Sequence, residues 1–457
     1  MQSTRSVKRP KVTTDGANLI SHAGAGLLAE LADRSGLTAH MSAAMEGCGI
    51  SWHTHDPGVV LTHLAVAIAD GADCLSDLDA LRRQSALFGP VASVPTAWRA
   101  LDATASVELR GIEAAVGRAR EKVWSAAPPG DSLIIDFDAT LLDAHSDKQD
   151  AAPTYKHGYG FHPLGTWCDT TSEPLAGMLR PGNAGSNTTD DHLELLDRTI
   201  AVLPPEYRLG HEPGDDPSSV VHPILVRADS AGATHGFVDG LVEANIGFSI
   251  GYPVDDNVRS GLFLAQEEDW VPAVEKDGTS RPGAFVTELT DLVDLSSWPE
   301  GTRLICRREH PHPGAQLSLF DRSEGESEWR HTCFITDRTG NDVAVLELGH
   351  RGHARVEDRV RCWKDTGLKN LPFEGYVRNE AWLAVSLVAG ALLSWSQMTC
   401  FAGELQKAEP KTLRYRVLHV AALLVRRGRD MILRLDRDWP WTNDLAEAYA
   451  RLRAALP

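Results

Sequence analysis

The spacing of apolar positions changes along the chain, and each change predicts a different kind of element. From Leu19 to about Ala127, alanine and leucine recur every three or four residues, as in Gly26–Asp33 and Val59–Ala69, which predicts packed helices. Pro95-Thr96 supplies a helix start for Ala97–Leu101. Pro128-Pro129-Gly130 breaks this texture, and strands then alternate with helices. Strands are expected at Leu133–Asp138, His162–Asp169 and Glu173–Arg180. A Gly/Asn loop from Pro181 to Thr189 leads into a helix over Asp190–Leu203, with Thr189 or Asp190 as N-cap. The strand Val220–Ala228 ends at Asp229, and a helix (Thr234–Ala244) and a strand (Ile246–Pro253) follow. From about Asp255 to Asn341, short β-like runs such as Ala284–Thr287, Arg303–Arg307 and Arg330–Thr336 are separated by turn residues. Val343–Leu348 reads as a strand running into a helix that carries Glu357, and Asn379–Phe401 as an apolar helix.

These elements predict an α/β protein: a mixed sheet flanked by helices, interrupted by a β-rich insertion and preceded by a helical domain. The expected organisation is a polar arm (1–18), a helical domain (19–127), a first core segment (128–254), the insertion (255–341), a second core segment (342–406) and a basic helical C-terminal segment (407–457). The helical domain fits a DNA-binding module of helix-turn-helix type, and equally a lid or dimerisation domain. With 42% hydrophobic and 24% charged residues, wholesale disorder is excluded. No apolar run reaches the roughly 18–20 residues of a membrane span, and Ala381–Trp395 reads as a core helix. No apolar stretch follows the basic N-terminus, so no signal peptide and no membrane are expected. Seven dispersed cysteines without CxxC spacing suit neither a zinc ribbon nor a disulfide framework, and a reducing cytoplasm is expected. A net charge of −18 weighs against nucleic acid. Its distribution counters the sum, because residues 407–437 hold nine basic and three acidic side chains, a local +6.

Candidate chemistry lies in four acids. Asp136 and Asp138 leave the Leu133–Asp138 strand on one side, since side chains alternate with period two. Asp229 ends a second apolar strand. Glu357 shares a helical face with His350, His353, Arg361 and Lys364, one acid among imidazoles and cations. Such a face suits a carboxylate that holds a metal beside cations that hold a phosphodiester. Three acids brought together would repel one another unless a divalent cation kept them ionised, and hard oxygen donors without cysteine favour Mg²⁺ or Mn²⁺. His157 and His162 are further candidate ligands, although each fits a strand edge or loop better. The pairs His53-Thr54-His55 and His310-Pro311-His312 lack the partners a zinc site needs. No GxxxxGK[ST] loop is present.

Acids on a strand, a strand end and a late helix, in this order, resemble the DDE transposases of bacterial insertion sequences, within the RNase H-like integrase superfamily. The segments IIDFDATLLD, TYKHGYGFHPL, LVRADSAG, HRGHARVEDRVRCWKDTGLKNLPF and EPKTLRYRVLHVA resemble the version whose core carries a β-rich insertion. The family's Tyr, two residues, Arg, three residues, Glu, six residues, Lys is kept at Glu357 and Lys364, with His350 and His353 in the Tyr and Arg places. The resemblance implies Asp138, Asp229 and Glu357 as catalytic metal ligands, with Asp136 the alternative first ligand. It implies two Mg²⁺ (or Mn²⁺) ions. It also implies Lys364 at a phosphate near the cleavage site, with His350, His353, Arg351, Arg355 and Arg361 as further DNA contacts. The partners implied are double-stranded DNA, both element ends and target, and a second copy in a homodimer. The implied reaction is metal-dependent cleavage and strand transfer. The rival readings are an inactive DNA-binding relative and a metal-dependent nuclease on the same fold, with a two-carboxylate glycosidase more distant.

Overall fold

The computed structural model describes residues 10–49, 55–144, 147–185, 188–310, 329–340 and 342–457. Residues 1–9 of the N-terminal arm, His53, and residues 311–328 of the insertion, with His312, lie outside the described residues.

A short strand, β1 (Leu19–Ile20), precedes helices α1 (Ala25–Arg34), α2 (Leu37–Ala44), α3 (Pro57–Asp70), α4 (Val94–Asp102) and α5 (Ser106–Ala126). The Asp56 carboxylate accepts from Val59 N–H at 3.0 Å and Pro57 occupies the first turn, so α3 starts sharply. Because α3 is apolar almost all round, it is buried against α1, α2 and α4.

The core follows as β2 (Leu133–Ala139), β3 (Leu164–Cys168), β4 (Glu173–Met178), α6 (Thr189–Ala201), β5 (Ile224–Ala228), α7 (His235–Glu243) and β6 (Gly247–Tyr252). The insertion supplies β7 (Val271–Val274), β8 (Ser280–Glu288), β9 (Arg303–Glu309) and β10 (Arg330–Thr336). After it come α8 (Val343–Arg351), a 3₁₀ turn over Gly352–Arg355, α9 (Val356–Trp363) and the long α10 (Tyr376–Thr399). A hairpin, β11 (Ala422–Arg427) and β12 (Asp430–Leu435), and α11 (Thr442–Ala455) close the chain.

The nine-stranded sheet has the order β7-β8-β9-β10-β6-β5-β2-β3-β4. Within it, β2, β5 and β6 run parallel and β3 runs antiparallel to both β2 and β4, the mixed sheet that the sequence predicts. Insertion strands extend this sheet: β10 pairs antiparallel with β6, Ile335 opposite Ile250. Ala273, Ala284, Val286, Ile305 and Phe334 give the insertion a small core of its own, covered by Val343 and Leu346 of α8. A larger hydrophobic core runs from α1 through the sheet to α11, and Ile20, Ala23, Ala422 and Leu424 form a third small cluster where β1 meets β11.

Two predicted elements differ from those observed. Residues 343–348 form a helix: Asp342 caps it, its carboxylate accepting from Ala344 N–H at 3.0 Å and Val345 N–H at 3.3 Å. The continuous apolar run Val343-Ala344-Val345-Leu346 imitates a buried strand, and the cap and the Glu347–Arg351 pair decide for helix. The C-terminal segment is only partly helical. Its basic part is the β11–β12 hairpin, turning at Gly428-Arg429 with Gly428 at φ 64°, and β1 pairs with β11. The density of charge in this segment masks the two apolar runs Ala422–Val425 and Met431–Leu433.

By length and composition α10 could cross a membrane, yet 83% of its apolar window is buried inside the protein. It closes over the fully buried Glu173, whose carboxylate accepts from Arg120 Nε at 2.7 Å, Trp395 Nε1 at 2.7 Å and Trp124 Nε1 at 3.1 Å. Paired and saturated in this way, a buried charge is tolerable and ties α5, α10 and β4 together.

Candidate active site

Register builds the floor of the site. Asp136 on β2 stands opposite Arg227 on β5, which stands opposite Ser249 on β6. The helical run 343–363 crosses this row. Arg227 places Nε on Asp136 Oδ1 and Nη2 on Oδ2, both at 2.8 Å, and Nη1 on the Gly349 carbonyl at 2.8 Å. Its Nη2 also lies 3.1 Å from Asp169, which Arg355 grips through Nε at 2.9 Å and through Nη2. Burial opposes ionisation of Asp169, and the two guanidiniums overcome it and hold its carboxyl below the usual range. His353 Nδ1 lies 2.9 Å from Asp136 Oδ1. Asp136 is therefore enclosed by Arg227 and His353 and is 1% exposed.

Asp138 follows two residues later on the same face, half-buried at the rim. Its carboxylate accepts from Ala139 N–H at 2.8 Å. Burial, the negative charges of Asp229 and Glu357, and only partial relief from His353 push its pKa up to about 6. Asp229 is exposed at the end of β5 and accepts from Ala231 N–H at 2.9 Å. Glu357 is exposed on the first turn of α9. Strand, strand end and helix thus bring the three acids to one field, where each makes ionisation of Asp138 harder. Carboxylate oxygens short of a counter-cation fit a hard divalent ion such as Mg²⁺ or Mn²⁺.

Lys364, where α9 passes into a kinked turn, joins this field. Its Nζ donates to the Leu141 carbonyl at 3.2 Å; burial lowers its pKa, and Asp138 and Asp143 counteract that. The remaining predicted DNA contacts are committed within the protein. His350 stacks on Phe334 (4.2 Å, 7°) with Nδ1 3.0 Å from Ser249 Oγ, and burial pushes its pKa down to about 3, leaving a neutral ring turned to the sheet. Arg351 bonds Glu347 at 3.1 Å and Glu275 at 3.3 Å. Arg355 is spent on Asp169. Arg361 is exposed but bridges Asp358 at 3.0 Å and Glu409 at 2.7 Å. The single helical face predicted for residues 350–364 is broken by the 3₁₀ turn, which sends His350 and His353 to the sheet and Glu357 to the rim.

His162 is buried, its Nδ1 3.2 Å from the Ala184 carbonyl, and Asp229 lies near enough to influence it. His157 is exposed in a turn at φ 63°. His310 stacks on Trp329 at 4.0 Å. Sequence reasoning missed Arg227 and Asp169. Arg227 left a usable signal: Asp136 and Arg227 are opposite charges inside two apolar strands, which predicts mutual pairing once both are buried.

A solved structure to which the chain is similar is the cryo-EM structure of the piggyBac transposase synaptic complex with hairpin DNA. The identity is 11%, with 88% of this chain and 80% of that chain covered and a TM-score of 0.41. No curated protein matches the chain significantly. A family profile described as "Transposase DDE domain group 1" matches residues 2–457. The chain therefore belongs to the group 1 DDE-domain transposase family.

Proposed function

We propose that this transposase cleaves the ends of a mobile DNA segment and joins them to target DNA, with Asp138, Asp229 and Glu357 as its metal ligands. The observation that carries this reading is the acidic field that β2, the end of β5 and α9 bring together, in which burial first, and then the charges of Asp229 and Glu357, raise Asp138 to about 6. Two Mg²⁺ or Mn²⁺ ions held by these carboxylates would supply Lewis-acid activation of the attacking oxygen and stabilisation of the leaving one. Lys364, drawn toward Asp138, would neutralise a non-bridging phosphate oxygen. Asp136 would hold His353 in place beside Asp138, fixing the proton on Nδ1. The exposed Arg426, Arg427, Arg429 and Arg434 of the hairpin have no ion pair among the described residues and would take the DNA backbone. The helical domain 19–127 would contribute to recognition of the ends, and pairing of two ends would require a homodimer.

The test is Mg²⁺-dependent nicking and joining of the gene's own flanking DNA by purified protein, wild type against Glu357→Gln. Loss of both products in the variant, with DNA binding retained, supports the reading. Equal activity in the two would remove Glu357 from the site. Nicking without joining in the wild type would favour the nuclease alternative, and DNA binding without either would favour the inactive relative.

A further inference from the structure

We infer that His22, Asp70 and His419 form a second metal site, taking a zinc-class transition-metal dication that fastens the basic hairpin to the N-terminal helices. Among the described residues, this trio has its ligand atoms all within 4.8 Å of one another. His22 follows β1, Asp70 is the last residue of α3, and His419 precedes β11. The trio thus joins three distant segments at the base of the hairpin.

Asp70 is the acid of the trio, set between the two imidazoles. Its side chain is 4% exposed and sits at the C-terminal, negative end of α3, where an acid is disfavoured. Oδ2 contacts His22 Nδ1, whereas buried Oδ1 makes no hydrogen bond. Near Oδ1 lies His419 Nε2 at 3.2 Å, already engaged with the Asp70 main-chain oxygen at 2.9 Å. The nearby Arg414 gives Nε to the Ala69 carbonyl at 2.8 Å and Nη2 to the Ile68 carbonyl at 3.2 Å. A buried carboxylate oxygen left without a hydrogen bond is costly and requires an explanation.

The donor set selects the ion. Two imidazole nitrogens and one carboxylate oxygen suit Zn²⁺ and its neighbours over Mg²⁺ or Ca²⁺. His22 and His419 are 27% and 39% exposed, so solvent could complete a tetrahedral shell. Main-chain bonds hold both histidines in place. Gln84 Oε1 accepts from Ser21 N–H at 3.1 Å and His22 N–H at 3.4 Å. Gly24 N–H and Ala23 N–H donate to the Leu418 and Val420 carbonyls at 3.0 and 3.1 Å. An ion here would cross-link segments hundreds of residues apart and so stabilise the hairpin's attachment.

The experiment uses the full chain, stripped with chelator and titrated with Zn²⁺, and with Co²⁺ as a spectroscopic probe, in excess Mg²⁺. One Zn²⁺ equivalent is expected in wild type and in Asp138→Asn/Asp229→Asn. Its affinity should fall at least about tenfold in His22→Ala and in His419→Ala, folding being checked by circular dichroism. Co²⁺ should give the visible absorption of a low-coordinate site, and Zn²⁺ should slow hydrogen exchange over residues 422–435. No Zn²⁺ equivalent in wild type would overturn the inference and leave a hydrogen-bonded His–Asp–His contact. So would an equivalent that survives both histidine variants and disappears with Asp138→Asn/Asp229→Asn. If His419→Ala does not fold, His22→Ala and the wild-type Co²⁺ spectrum decide.

Discussion

Asp136 and Asp138 leave one strand on one side, two residues apart, into opposite surroundings. Asp136 has both oxygens on Arg227 and a third contact to His353. Asp138 accepts from the next residue's N–H and faces two other acids. The buried network below is complete: Asp136, Arg227, Asp169 and Arg355 satisfy one another. The rim above is incomplete, with negative charge and too few cations. Carboxylates are the same chemical group in both layers, and electrostatic completion separates an acid that holds the fold from one left with uncompensated charge.

The largest effect that tests this contrast is catalytic. Asp138→Asn, Asp229→Asn and Glu357→Gln should each lower strand cleavage by at least about 10⁴-fold, since each would remove a ligand worth several kcal/mol to the transition state. Folding, followed by circular dichroism, should remain intact. A variant that kept wild-type cleavage would leave its acid outside the site. Asp136→Ala should act on the other axis, destabilising the chain by about 3 kcal/mol in urea because buried Arg227 would keep only Asp169 as its carboxylate partner. A stable Asp136→Ala that had lost only cleavage would reverse the two roles.

His353 stands between the layers and should show an intermediate effect. His353→Ala is expected to reduce cleavage about 10–100-fold, as for groups that orient metal ligands, with a smaller change in stability than Asp136→Ala. Unchanged cleavage kinetics would confine His353 to the lower layer.

The succession of strands and helices along the core and the acids at its strand ends were legible because apolar patterning and turn residues are local signals. IIDFDATLLD places two acids on one face whatever surrounds them. What separates those acids was not legible, because it depends on Arg227, which meets Asp136 only through the parallel β2–β5 register. The fate of His350 was hidden for a similar reason. Helical spacing puts it beside Glu357, and the 3₁₀ turn at Gly352–Arg355 rotates it onto Phe334 and Ser249. Residues 343–348 and the C-terminal hairpin were misread where one local signal masked another: an apolar run hid the Asp342 cap, and charge hid the strands.

The smallest expected effect is the most discriminating, because it has a sign that a structural acid could not give. Asp138 titrates at about 6 in the folded chain against an ordinary value of 3.8, so the folded state holds this proton more tightly than the unfolded state. Its favourable contribution is complete below about 3.8 and is lost as pH rises through about 6. At pH 7 the metal-free wild type therefore carries an ionised carboxylate that opposes folding. Asp138→Asn should relieve it and stabilise the metal-free chain at pH 7 by on the order of 1 kcal/mol, a gain seen where an active site holds uncompensated charge. The gain should shrink as pH falls from about 6 toward 3.8, where the wild-type carboxyl is protonated. Mg²⁺ should narrow it at pH 7 by stabilising the wild type more than the variant. Thermal melts of both proteins across that range, with and without Mg²⁺, measure all three trends. Destabilisation by Asp138→Asn in metal-free protein at pH 7 would mean that Asp138 is compensated as Asp136 is, and the distinction between the two layers would fail.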